Sequence, residues 1–150
     1  MIRKAKIKDV KQIHTLINFY AKSDLMLPRA LNELYENLRD FWVFEEKRRI
    51  LGCCALHILW DNLAEIKSLA VAKSHQGKGI GKALVLQCIE EAKILGVKKI
   101  FVLTYQPNYF RKFGFRRVKH SSLPHKIWIE CIHCPKFPDC QEVALIKEIK

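Results

Sequence analysis

No run of apolar residues in this chain approaches the ~18–20 needed to span a bilayer. The opening segment MIRKAKIKDVKQ holds no apolar signal-peptide core. A membrane partner is therefore set aside, and a cytoplasmic location is expected. No linker, repeat or low-complexity tract interrupts the 150 residues, so a single domain spanning 1–150 is expected. Acidic residues are few, 15 against 27 lysines and arginines, which leaves a net charge of +12. That imbalance repels polyamines and favours anionic partners such as a nucleotide cofactor or an acidic metabolite. Nucleic acid would share the attraction, but the basic residues are spread through the chain rather than gathered in a tail, and it is the less favoured partner. Glycine is scarce too: there are six in all, and three fall at positions 77, 79 and 81.

What is present reads as alternating strands and helices. Residues 2–7 alternate as a short strand. Asp9 is placed to cap a helix with Val10, Ile13, Leu16, Ile17 and Tyr20 on one face. A second helix is expected from Ala30 to about Leu38. The period then changes to that of three strands, 41–46, 50–59 and 64–73, whose short connections predict an antiparallel meander. A helix from Gly79 to Leu95 follows and ends at Gly96, a residue suited to the left-handed C-terminal position. A fifth strand (98–103), a short helix opened by Pro107, a strand at 115–118 and a last one at 142–149 complete the order. The pattern predicts a mixed α/β (α+β) fold, with a mostly antiparallel sheet of about six to seven strands flanked by about four helices.

The glycine cluster, His75-Gln-Gly-Lys-Gly-Ile-Gly-Lys-Ala-Leu84, sits between a strand and a helix, where backbone amides and the helix dipole make an anion site. Two familiar phosphate loops are excluded by what is missing. Gly77 to Gly81 is one residue short of a Walker A loop, and Ala83 replaces its hydroxyl. Lys82 stands where a dinucleotide fingerprint needs glycine. The motif that fits is Gln76-x-x-Gly79-x-Gly81 after Leu-Ala-Val-Ala. With the strand Ala64–Val71 and the segment Tyr109-Phe-Arg-Lys-Phe-Gly-Phe115, it resembles the GNAT superfamily of N-acetyltransferases over about residues 3–118.

That resemblance implies a sheet splayed between its fourth and fifth strands, with acetyl-CoA as co-substrate. Its pyrophosphate would lie on Gln76, Gly77, Lys78, Gly79, Ile80, Gly81 and Lys82. Its pantetheine arm would pair with the main chain of Leu69, Ala70 and Val71, where one N–H would polarise the thioester carbonyl. Glu65 matches the strand-four carboxylate that some relatives use as general base. The family's general-acid tyrosine, four residues before the glycine of the "GF" pair, is Phe110 here, leaving Tyr109 or Tyr105 as substitutes.

The Tyr109-Phe110 pair, the Leu27-Pro28-Arg29 segment and the tail motifs Leu123–Trp128, Cys131-x-x-Cys134-Pro and Cys140–Leu145 resemble the short N-acetylglutamate synthases. The branch implies that Arg29 binds a substrate carboxylate through its planar fork. Lys126, in the tail motif, is a candidate second cation for the dicarboxylate. The implied reaction is acetylation of the α-amine of L-glutamate. Another amino acid, a polyamine or a protein N-terminus remains open as acceptor, as does a non-catalytic acetyl-CoA- or nucleic-acid-binding module. A homodimer is an open assembly. Cys53, Cys54 and Cys88 read as small buried hydrophobes. Cys131, Cys134 and Cys140, with His133, have the spacing of an incomplete zinc site, and plain packing of the tail is preferred over metal.

Overall fold

The computed structural model describes residues 1–122 and 142–149. Their elements are β1 (Ile2–Lys4), α1 (Val10–Ala21), α2 (Leu31–Glu36), β2 (Phe41–Glu46), β3 (Arg49–Trp60), β4 (Leu63–Val71), α3 (Ile80–Leu95), β5 (Lys99–Thr104), α4 (Pro107–Arg111), β6 (Arg116–Val118) and β7 (Val143–Glu148). The strands form a seven-stranded sheet in the order β1-β2-β3-β4-β5-β7-β6. Every neighbouring pair is antiparallel except β4 and β5. This is the mixed α/β, mostly antiparallel architecture expected from the sequence.

Helices cover both faces, and the strand sequences show why. In β3, Cys53 and Ala55 face α1 and α2 in a cluster with Val10, Ile13, Ile17 and Leu34. Their neighbours Cys54 and Leu56 point the other way, into a cluster with Leu84, Val85, Cys88 and Ala92 of α3. A strand buried on both faces needs a continuous apolar run rather than strict alternation, and ILGCCALHIL supplies one. Gly52 lets α3 approach: a β-carbon there would stand 2.9 Å from Ile80 Cγ2 and 3.0 Å from Leu84 Cδ1. Gly96, at φ 85°, closes α3 in the left-handed conformation.

Several boundaries differ from the sequence expectations for local reasons. The first strand stops at Lys4 because Asp9 draws the chain into a 3-10 turn at Ile7–Asp9. Asp9 directly precedes α1 but does not cap it. Its carboxylate accepts the Lys6 N–H (2.7 Å) and a two-pronged contact from the Arg3 guanidinium (2.7 and 3.0 Å). Arg3 also reaches Glu45 at 3.0 Å, which ties the N-terminus to β2. The fourth strand ends at Val71 rather than residue 73, since Lys73–His75 form a 3-10 turn. Among the described residues no helix is long and apolar enough to cross a membrane.

Candidate active site

β4 and β5 pair only at Leu63–Lys99, Ala64–Ile100 and Glu65–Phe101. Beyond Glu65 the strands part. A bulge in β4 lies at the point of departure: Ala55 pairs with Lys67 and Cys53 with Ala70, so β4 spends one residue more than β3. Ser68 absorbs the extra residue at φ 58°. Its carbonyl accepts the Cys53 thiol at 3.3 Å. A bulge bends its strand and increases its twist, which opens the sheet here. The opening leads into a cavity of about 1160 Å³.

The glycine loop forms one wall. Gly77 (φ 78°) and Gly79 (φ 82°) adopt backbone conformations that side chains with a β-carbon rarely take, and a β-carbon at either would meet nothing within 4 Å. The loop therefore stays open in front. The bond from Ala83 N–H to Gly79 O is 3.0 Å and starts α3. Ahead of it lie the amides of Ile80, Gly81 and Lys82, for which a helix has no internal acceptor. Gln76, Gly77 and Gly79 to Lys82 line the cavity, as do Leu69, Ala70 and Val71. Lys78 does not; it borders a smaller depression with Glu46 and His75.

The Gln76 side chain has a structural engagement. Its amide donates to the Tyr20 hydroxyl (2.7 Å) and more weakly to Val71 O (3.4 Å), while the Tyr20 hydroxyl donates to Val71 O. Ala72 N–H donates to Leu51 O on β3 at 2.7 Å, so the Val71 carbonyl faces the other edge, where Tyr20 and Gln76 cap it. Burial raises the Tyr20 hydroxyl above its ordinary pKa, although the Gln76 bond opposes the shift. Tyr20 thus latches α1 to the glycine loop. In the sequence it read only as one more residue on an apolar helix face, although a tyrosine's polar end commonly finds a partner when buried.

Glu65 is buried on β4, in register with His57 of β3 and Phe101 of β5. It lines the cavity together with His57 and Arg29. The Arg29 guanidinium reaches Ser68 Oγ (3.4 Å) and Glu33 Oε2 (3.3 Å), and its carbonyl accepts Asn18 Nδ2 (3.2 Å). His57 Nδ1 lies 2.6 Å from Asp40 Oδ2. Sequence reasoning missed His57, Asp40 and Ser68, because their proximity comes from strand register.

Tyr109 opens over α3. A β-carbon on Gly81 would stand 2.8 Å from its hydroxyl. Burial, and secondarily Cys54, raise its pKa, so the hydroxyl keeps its proton at neutral pH and can donate. Phe110 instead packs edge-on against Phe115 (5.8 Å between centroids) and is buried. The position where the family resemblance implies a tyrosine is therefore filled by a core phenylalanine that also borders the cavity. Tyr105 also lines the cavity. Lys126, Cys131, His133, Cys134 and Cys140 lie outside the described residues. Among the described residues no group of three or more His, Cys, Asp or Glu side chains is placed to hold a metal.

Known proteins share both the sequence and the shape. Residues 7–115 match the Acetyltransferase (GNAT) family. The chain is 36% identical to an uncharacterised N-acetyltransferase of Chlorobaculum tepidum, covering 99% of this chain and 96% of that one. It is 34% identical to the amino-acid acetyltransferase of Mycobacterium tuberculosis, covering 87% and 76%. A Mycobacterium tuberculosis protein crystallised in complex with CoA superposes with a TM-score of 0.85 at 28% identity, over 100% of this chain and 99% of that one. The N-acetylglutamate synthase of Neisseria gonorrhoeae, complexed with coenzyme A and N-acetyl-glutamate, gives 0.92 at 24% identity. This chain spans 100% of itself but only 35% of that one, so that likeness concerns the fold. With the splayed sheet, the glycine loop and the family match in agreement, the chain belongs to the acetyltransferase (GNAT) family and is an acyltransferase.

Proposed function

We propose that this protein transfers the acetyl group of acetyl-CoA to the α-amine of L-glutamate, in the cytoplasm, as the entry step of arginine biosynthesis. The observation that carries the reading is the meeting of Arg29, Glu65 and the glycine loop on one cavity. A cation for a carboxylate, a buried carboxylate for an amine and an anion cradle are then within one bound pair of substrates. The cavity volume of about 1160 Å³ slightly exceeds the ~300–1,000 Å³ of ordinary small-ligand sites, as an extended co-substrate with an acceptor requires.

The amides at the start of α3, together with the charge of Lys82, hold the pyrophosphate. The main chain of Leu69 to Val71 borders the gap, and its groups other than the capped Val71 carbonyl align the pantetheine arm as a missing strand would. Arg29 binds a carboxylate of the acceptor. Glu65 takes a proton from the acceptor ammonium, and the neutral nitrogen attacks the thioester carbonyl directly. Tyr109 donates toward the departing sulfur. A +12 chain attracts a dicarboxylate and repels polyamines. The amino-acid acetyltransferase relatives support an amino-acid acceptor.

The test is CoA-thiol release from acetyl-CoA with twenty amino acids, two polyamines and a basic peptide. Selective turnover with glutamate, with KM for glutamate raised about 100-fold in Arg29→Ala by loss of a charge-assisted pair, is expected. Preferential turnover with any other amine would refute the glutamate assignment.

A further inference from the structure

The reaction proposed above makes Glu65 take up a proton in every cycle. Glu65 is only 6% exposed, so that proton needs a route out. Its cross-strand partner supplies one. β3 outruns β2, whose pairing begins at Phe41 opposite Ala55, so His57 projects beyond the end of β2. Asp40, the last residue of the 3-10 turn Leu38–Asp40, fills the vacant place and binds His57 Nδ1 at 2.6 Å. On its other side His57 is in register with Glu65. Side chains so paired share one face, with β-carbons roughly 4.5–5.5 Å apart. Both line the cavity, and the His57 side chain is 25% exposed.

The carboxylate on Nδ1 sets the tautomer. Nδ1–H donates to Asp40, and Nε2 keeps its lone pair as a proton acceptor. We propose that His57 relays the acceptor amine's proton from Glu65 to solvent, and that Asp40 positions the imidazole for that role. This rests on the proposed amine acetylation. The ammonium gives one proton to Glu65, and the nitrogen pair forms the C–N bond. The C–S bond breaks with its electron pair on sulfur, and the second nitrogen proton ends on that thiolate. The Glu65 proton passes through water to His57 Nε2 and then to bulk solvent, so one proton is released per turnover. Asp40 on the turn contacts His57 and Glu65 on β4 is in register with it, while Arg29, Glu33, Lys67, Tyr105 and Glu142 line the same cavity.

The experiment measures CoA-thiol release by wild type, His57→Ala, His57→Gln and Asp40→Asn across pH, with each variant's melting temperature alongside. Gln keeps an amide that donates to Asp40 but accepts no proton, so it separates relay from scaffold. In both His57 variants kcat is expected to fall about 100-fold, while KM for acetyl-CoA and for the amino acid stays within about threefold. Added imidazole buffer is expected to restore kcat in His57→Ala and to leave wild type unchanged. Asp40→Asn removes the carboxylate that orients the imidazole, so kcat is expected to fall while both KM values stay close to wild type. Wild-type kcat in His57→Gln, or a loss that follows melting temperature and ignores imidazole, overturns the relay while leaving the amine acetylation standing. No turnover by wild type with any amine overturns both.

Discussion

Gly81→Ala separates two roles that the start of α3 combines. Gly81 lies in the first turn with ordinary helical geometry, so alanine should favour the helix by up to about 1 kcal/mol. The same β-carbon would stand 2.8 Å from the Tyr109 hydroxyl, where ordinary contact begins at 3.4 Å. The ring must therefore withdraw by the difference, about 0.6 Å. It is not free to swing, since Phe110 and Phe113 hold it edge-on with centroids at 5.3 and 5.4 Å. Forcing it off its rotamer costs about 1 kcal/mol. The two contributions cancel, so the melting temperature should stay within about 3 °C of wild type. Activity should not be spared. A misplacement of about 1 Å costs roughly 100-fold, so this smaller one should lower kcat about 10-fold.

The double variant is the stricter test of that reasoning. Tyr109→Phe alone removes the proposed donor and should lower kcat about 100-fold. Once the hydroxyl is gone, the Gly81 β-carbon has nothing to strike, so Gly81→Ala should add no further loss. The assay is CoA-thiol release at saturating acetyl-CoA and amino acid, with melting followed by circular dichroism. Multiplying losses in the double variant, or wild-type kcat in Gly81→Ala, would refute the placement of Tyr109 over α3.

Gly52→Ala drives a β-carbon into Ile80 and Leu84 at 2.9 and 3.0 Å, and should cost about 2 kcal/mol, read as a drop of about 6 °C in melting temperature. Asp9→Asn strips the bidentate partner from Arg3 and should cost about 3 kcal/mol in chemical denaturation at neutral pH. Burial pushes the Asp9 carboxyl up, but Arg3 and the Lys6 amide outweigh it and hold the pKa below the ordinary value; Arg3 lowers Glu45 likewise. Because both folded-state values lie below the unfolded ones, their stabilisation is fully present above the usual carboxylate range of about 4 and is lost as pH falls through the folded values. The Asn variant should accordingly lose less stability than wild type on acidification below about pH 4. In a Cys131→Ser, Cys134→Ser, Cys140→Ser background, a thiol reagent should label nothing until the protein unfolds. Burial pushes Cys53 up to about 12, and the bond to Cys88, followed by burial, raises Cys54; rapid labelling of the native protein would contradict that.

The parts that were legible in the sequence are those where local chemistry decides the backbone. Gly77, Gly79 and Gly96 occupy left-handed conformations, and α3 carries its apolar stripe at helical spacing. The meander 41–71 followed from loop lengths, since short connections leave antiparallel pairing as the geometric option. Asp9 shows the limit of such reading. It stands where a cap belongs, but Arg3 lies close enough after folding to take its carboxylate, and a bidentate guanidinium outcompetes a helix amide. Ser68 shows another. A serine at φ 58° within a strand carries no compositional mark, because the bulge is set by how β4 fits β3. The His57–Asp40 pair was hidden for the same reason: the two residues meet only because β3 is longer than β2.

The cavity has two sides with different origins. The donor side is a strand, a turn and a helix contiguous in the chain, residues 64–95, so its motif survives in a linear reading. The rest of the cavity is assembled from α1, the segment leading into α2, and β3 by contacts that all converge on β4. Tyr20 caps Val71, Arg29 reaches Ser68, and His57 is in register with Glu65. Each of these contacts falls on the stretch of β4 from Glu65 onward, where its partner β5 departs. The stretch of β4 that β5 leaves unpaired is thus the same stretch that Arg29 and His57, the proposed cation and relay, meet around Glu65. Changing the acceptor would require changing α2 and the segment leading into it while β4 and α3 stayed as they are. The segment 23–37, which lines the cavity beyond Tyr20, is therefore where substitutions should alter which amine is used, without altering affinity for acetyl-CoA.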